Sequence, residues 1–321
     1  MDLEQLAPRL SHPWVRSLAW LIGSPGLLDA QDVRFAGRVV EDAWCARALA
    51  QAAPWLLELD REPRPLDEFI AAHATRRLGR AAETLLAFWL ARQAGVDLLA
   101  RNLAVRDAQR TLGEFDFIFR APGAAVATHW ESAVKFYLRM PGAGDLAAYV
   151  GPGERDVLAA KIQKVFDRQL FLGAQPEGQA ALRALHAGPV QAQAFIKGWL
   201  FYQMDSANSG ADGNAGTEAA GLNERHPRGW WLRAEAGWER RLDAQRRYIV
   251  LPRLQWLAWP WRAASEGLLS PKALAQSVES SLRADAGAQM VIEMVPGEDG
   301  PGWREVSRGF VVPRGWGLPP G

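Results

Sequence analysis

The sequence predicts an α/β protein: a mixed sheet flanked by helices, preceded by an α-helical lead-in and followed by a β-rich C-terminal part. Three observations predict it. Apolar residues recur at helical spacing as far as Gln93, strand-like alternation of period two takes over from Val96, and Trp-rich apolar runs separated by Gly and Pro follow a polar stretch at 205–228.

Composition sets the bounds. A chain of 321 residues with 49% hydrophobic residues can bury one large core or two modest ones. With 37 basic against 36 acidic residues the formal net charge is +1, so a polyanion would be held by a local patch and not by a whole-molecule field. Cys45 is the single cysteine, which excludes an internal disulfide and any multi-cysteine zinc site and fits a reducing compartment. The N-terminus is acidic where a secretory signal is basic, and no run of apolar residues reaches membrane-spanning length, so a cytoplasmic protein without a membrane partner is expected. Most of the 15 tryptophans are expected in the core.

The elements follow in order. HPWVRSLAWLIGSPGLL, from His12, reads as a helix stopped at Gly23. Ala43–Ala53 and Trp55–Leu59 read as helical pieces broken at Pro54, and Leu66–His73 as another helix. Arg76–Gln93 carries the strongest helical stripe, Leu78, Ala81, Ala82, Leu85 and Trp89, with Glu83 on its flank. Val96–Val105, Gly113–Phe119 and His129–Leu138 read as strands, the last placing His129, Glu131, Ala133 and Lys135 on one face. Asp156–Leu172 reads as an amphipathic helix and Gln193–Tyr202 as a strand. Past the polar insert come strands at Trp230–Ala234 and Tyr248–Leu257, a helix at Pro271–Arg283, and strands at Met290–Met294 and Gly309–Val312. This divides the chain into a helical region at 1–74, a core at 75–204, a flexible insert at 205–228 and a Trp-rich region at 229–321 packed on the core.

The chemistry-bearing residues fall in the core. A phosphodiester resists attack because its anionic oxygens repel nucleophiles, and Mg²⁺ or Mn²⁺ held by carboxylates supplies the positive charge and the activated water. Asp116 and Glu131, on neighbouring strands joined by a turn at Pro122-Gly123, suit that purpose as metal ligands. Lys135, two same-face steps beyond Glu131, can contact the phosphate or orient the water, and Glu83 can complete the metal shell. Glu114 is a second-choice ligand, and His129 reads as structural. Lys161, Lys164 and Arg168 share about one helical face and can follow a nucleic-acid backbone, with Gln169 approaching the site. Against each stands a plainer alternative: acidic residues that alternate in a strand, and charges on a helix, ordinarily face solvent. No phosphate-binding loop or dinucleotide fingerprint is present, which argues against a nucleotide cofactor; scattered His argues against a zinc hydrolase.

The order helix with Glu83, strand with GEFDFIF, strand with HWESAVKFYL, then helix, resembles the PD-(D/E)XK nuclease superfamily, which implies a restriction-endonuclease-like sheet. The phrases LGRAAETLLAFWL, LGEFDFIFR, HWESAVKFYL, KIQKVFDRQLFL and HPWVRSLAWLIGSPGLL resemble bacterial proteins of the DUF1853 family from about Ser11 to Val312. That resemblance implies a fold relation and brings no activity with it. One departure from the nuclease motif matters. Glu-X-Lys becomes Glu131 and Lys135 with three residues between, so either Ala133 stands at the usual carboxylate position and Glu131 reaches over, or the chemistry has been lost. The expected function is a metal-dependent nuclease acting on DNA or RNA; the alternative is a catalytically inactive scaffold of the same fold that binds nucleic acid or a protein. A carbohydrate-active protein with Trp platforms is a third, weaker option. Oligomeric state is not legible in the sequence.

Overall fold

The computed structural model of the chain describes residues 1–142, 144–204, 218–284, 287–297 and 302–318. It is a mixed α/β structure whose strands follow the order β1-β2-β3-β5-β6-β10-β9-β7 in a ten-stranded sheet, with β4 on β3 and β8 on β10. Two compact units are drawn from interleaved segments: the first from 1–135, 160–198 and 221–225, the second from 136–159, 199–220 and 226–321. No helix among the described residues is long and apolar enough to cross a membrane.

The first unit opens with helices. Asp2 caps the short α1 (Leu3–Leu6), and α2 (Pro13–Gly23) begins on a proline, whose missing N–H costs nothing in a first turn. Helix α2 is buried from Val15 to Ile22, and a Cβ at Gly23 would lie 2.4 Å from Leu49 Cδ2, so a small residue is required where α2 meets α3 (Asp42–Arg61). The expected break at Pro54 does not occur: α3 is one helix of 20 residues. Pro54 is exposed, and the stripe Leu49, Ala52, Ala53, Leu56 and Leu59 is buried on both sides of it, so packing outweighs one lost backbone hydrogen bond. Helices α4 (Arg64–Ala72) and α5 (Leu78–Leu90) follow, α5 burying the stripe read from sequence.

Strands β1 (Asp97–Arg106), β2 (Thr111–Arg120) and β3 (Ala127–Arg139) are antiparallel neighbours, with Phe117 opposite Trp130 and Ile118 opposite His129. After β4 (Tyr149–Val150), helix α6 (Leu158–Lys164) runs into a π turn over Val165–Gln169, closed by Leu170 N–H donating to Val165 O at 3.0 Å. Helix α7 (Pro176–Ala184) escapes the sequence pattern because it buries only Gly178 and Leu182. Leu182 joins Val105, Phe115, Ile118 and Leu172 in a cluster against the β1–β2 hairpin.

Strand β5 (Val190–Gln203) neighbours β3 in the sheet. Gly198 has φ +154°, and a Cβ there would lie 1.8 Å from Lys135 O. Gly198→Ala is therefore expected to lose roughly 3 kcal/mol or more of stability. Urea titration checks this; a loss under about 1 kcal/mol would mean the strands can part without cost.

The second unit holds β6 (Arg228–Arg233), β7 (Arg247–Val250), β8 (Trp261–Arg262), α8 (Pro271–Arg283), β9 (Gln289–Pro296) and β10 (Trp303–Val312). The strand expected over Tyr248–Leu257 stops at Val250, two residues before Pro252, which has no N–H for a ladder. Its core gathers Trp230, Leu232, Trp238, Tyr248, Leu274, Val278 and Val291, and most tryptophans of the chain are buried as expected. Of the expected insert, 205–217 lie outside the described residues. Glu218 accepts from Tyr202 Oη at 2.7 Å and pairs with Arg228 at 2.6 Å, and His226 is buried beside Tyr202, so that end of the segment is tied down.

Candidate active site

Asp116 and Glu131 lie in the middle of the β2–β3 ladder. The pair Phe117–Trp130 sits one step away, which sets Asp116 opposite Glu131. Both are buried, at 8% and 2% exposure, where an isolated carboxylate is unstable. Asp116 Oδ2 accepts from Ser132 N–H at 2.8 Å. Glu131 Oε1 accepts from Gln169 Nε2 and lies 3.6 Å from Lys161 Nζ, while Lys161 Nζ also donates to Gln169 Oε1 at 3.3 Å. Glu131 Oε2 is buried and has no hydrogen-bond partner.

The helix geometry explains how Lys161 and Gln169 meet on one carboxylate. Eight residues of α-helix place two side chains 80° apart around the axis, whereas a π turn adds a residue and rotates everything after it. The turn at Val165–Gln169 falls between them. Lys164 and Arg168, expected on the same face as Lys161, remain exposed.

Electrostatics follow from this burial. Glu131 is pushed up to about 8, first by burial and then by the charge of Asp116, and the Lys161 ammonium only partly offsets both. Asp116 is raised by burial, opposed by the Ser132 N–H and Lys161. Lys161 is lowered by burial, with the Lys135 charge acting in the same direction and Glu131 against it. Ion-pair geometry alone suggests a settled Glu131–Lys161 bridge, but desolvation and the second carboxylate dominate. The pocket holds more carboxylate than its own cations neutralise.

The remaining candidates are placed as follows. Glu83 accepts from Arg80 Nη1 at 2.7 Å, and the same nitrogen reaches Asn102 Oδ1 at 3.0 Å and Glu114 at 3.2 Å. Glu83 still feels the site: burial and then the charge of Asp116 raise it, with Arg80 opposing. Lys135 is half-buried, four residues from Glu131 along β3, or about 13 Å of extended chain. His129 is fully buried edge-on to Phe115 at 4.8 Å; burial pulls it down to about 4 and neither ring nitrogen has a hydrogen-bond partner, so it is a neutral packing residue. Spacing alone cannot reveal that Lys161 reaches Glu131 or that Arg80 anchors Glu83, because both depend on helix-to-strand distances.

Asp116 and Glu131 fit a divalent cation: both are oxygen donors, and the unpartnered Glu131 Oε2 needs one. Among the described residues no three His, Cys, Asp or Glu side chains are grouped closely enough to hold an ion by themselves. Two carboxylates with water and substrate oxygens are what remains, a shell suited to Mg²⁺ or Mn²⁺.

A family profile described as Domain of unknown function (DUF1853) matches residues 16–312. No curated protein and no solved structure matches the chain.

Proposed function

Since the chain belongs to the DUF1853 family, whose description assigns no activity, we propose its function from the site: divalent-metal-dependent hydrolysis of nucleic-acid phosphodiester bonds. One observation carries this reading, the buried pair Asp116 and Glu131 with the ammonium of Lys161 beside it. The order of Glu83 on a helix, Asp116 on β2 and Glu131 on β3 is similar to the PD-(D/E)XK core.

In this proposal Asp116 and Glu131 hold Mg²⁺ or Mn²⁺, which supplies charge neutralisation at the phosphate and an acidified water. Gln169 fixes the rotamer of Glu131 by donating to Oε1, leaving Oε2 for the cation. Lys161 binds a non-bridging oxygen of the scissile phosphate and stabilises the charge that builds there. Water adds to phosphorus, the bond to the leaving ribose or deoxyribose oxygen breaks, and that oxygen takes up a proton. A Glu-X-Lys motif begun at Glu131 would end at Ala133; the ammonium comes instead from α6. Lys135 supplies a second positive charge on the approach, and exposed Lys164 and Arg168 continue along the backbone.

Mn²⁺ at roughly 100 times its Kd is expected to raise the melting temperature by about 4 °C. Asp116→Asn is expected to lose that shift together with Mn²⁺-dependent cleavage of mixed single- and double-stranded DNA and RNA. Stabilisation without cleavage would favour the catalytically inactive scaffold, the reading that Ala133 supports; neither effect in folded wild type would end the metal proposal.

A further inference from the structure

We infer that the first unit carries a second site, independent of Asp116 and Glu131, for a small planar aromatic molecule bearing an anionic group. A cavity of about 500 Å³ lies between α3, the end of α5 with the turn after it, and the end of β2. That size is in the range that encloses a small organic ligand. Its walls include Trp44, Trp55, Trp89 and Phe119, and its rim includes Arg47 and Arg92.

The aromatic walls are preorganised. Trp44 is held edge-on by Trp89 at 6.2 Å and by Trp130 at 5.1 Å, and Trp55 packs against Phe88 at 6.1 Å. Trp44 and Trp55 recur with Ala48 and Gln51 along one stripe of α3, yet both remain half-buried instead of closing into the core. Flat, rigid side chains that stay partly uncovered offer stacking area at little entropic cost.

The charge is one-sided. No Asp or Glu lines the cavity. The Arg92 guanidinium lies 3.7 Å from the Phe88 ring centroid and donates to Phe88 O at 3.3 Å, a contact that leaves most of its donors unused. Neither Arg47 nor Arg92 is ion-paired among the described residues. Two uncompensated guanidiniums above aromatic walls select an anion with a flat body over a bare anion or a neutral ring.

Calorimetric titration with 2-naphthoate, 2-naphthalenemethanol and acetate tests the inference. 2-Naphthoate is expected to bind with Kd below about 1 mM, the alcohol and acetate at least about tenfold more weakly. Arg47→Gln with Arg92→Gln is expected to weaken 2-naphthoate at least about tenfold; both positions are exposed, so the fold should stand, as circular dichroism would verify. Glu131→Gln should bind as wild type, which separates this site from the carboxylate pocket. No binding to folded wild type, equal binding of acid and alcohol, or an unchanged Kd in the double Arg variant would each overturn it.

Discussion

Lys161→Met is expected to reduce Mn²⁺-dependent cleavage by about 10²–10³-fold, the scale for losing one preorganised charge from a transition state. Its ammonium lies 3.6 Å from Glu131 Oε1 in a largely buried setting, where charge is screened least. Met follows much of the lysine stem, so packing along α6 survives. Glu131 then loses its nearest cation and holds its proton more firmly, which spares the fold an unpaired buried charge. Lys135→Met, by contrast, should cost less than about tenfold, because Lys135 stands farther along β3 and acts on the pocket only through the charge of its neighbours. Single-turnover cleavage by both variants distinguishes them. Should Lys135→Met prove the more damaging, the ammonium assignment has to be exchanged and the strand lysine restored to the reacting phosphate.

The second large effect is on stability. Glu131 titrates near 8 in the fold, against 4.5 as its ordinary value. Between those values the folded state keeps a proton that the unfolded chain releases, so stability falls as pH rises through that window and levels off above it. Asp116 and Glu83 are raised as well and act in the same direction. Glu131→Gln removes the largest of these contributions and is expected to be more stable than wild type at pH 9 by a few kcal/mol, with little difference at pH 4. The variant should also lose the Mn²⁺ stabilisation, since the amide carries no charge for the cation. Such a gain in stability with loss of function is the mark of a strained polar site. Urea unfolding of both proteins across pH 4–9 measures it; curves that stay parallel would show that Glu131 is not desolvated in the folded state.

Periodicity made much of the site legible. Alternation in GEFDFIF and HWESAVKFYL placed Asp116 and Glu131 on adjacent strands, and the β2–β3 register sets them opposite each other. The α5 stripe likewise located Glu83 on its flank. The α6 region was harder. A regular helix drawn through Asp156–Leu172 puts Lys161, Lys164 and Arg168 in one surface row, whereas the π turn changes the phase and Lys161 turns inward while Lys164 and Arg168 stay outside. Pro54 misled because local propensity cannot weigh the apolar stripe that carries α3 past it.

The sequence by itself determined the alternation of elements, the family, and the strand faces that bear acidic residues, because each of these depends on local spacing and covalent order. Only the tertiary structure decided which cation meets Glu131, that Glu83 is held by Arg80, and that Trp44 and Trp55 line an open cavity instead of a closed core. These are distances between elements far apart in the chain. They are set by how buried surfaces pack, and packing leaves no periodic signal in the order of residues.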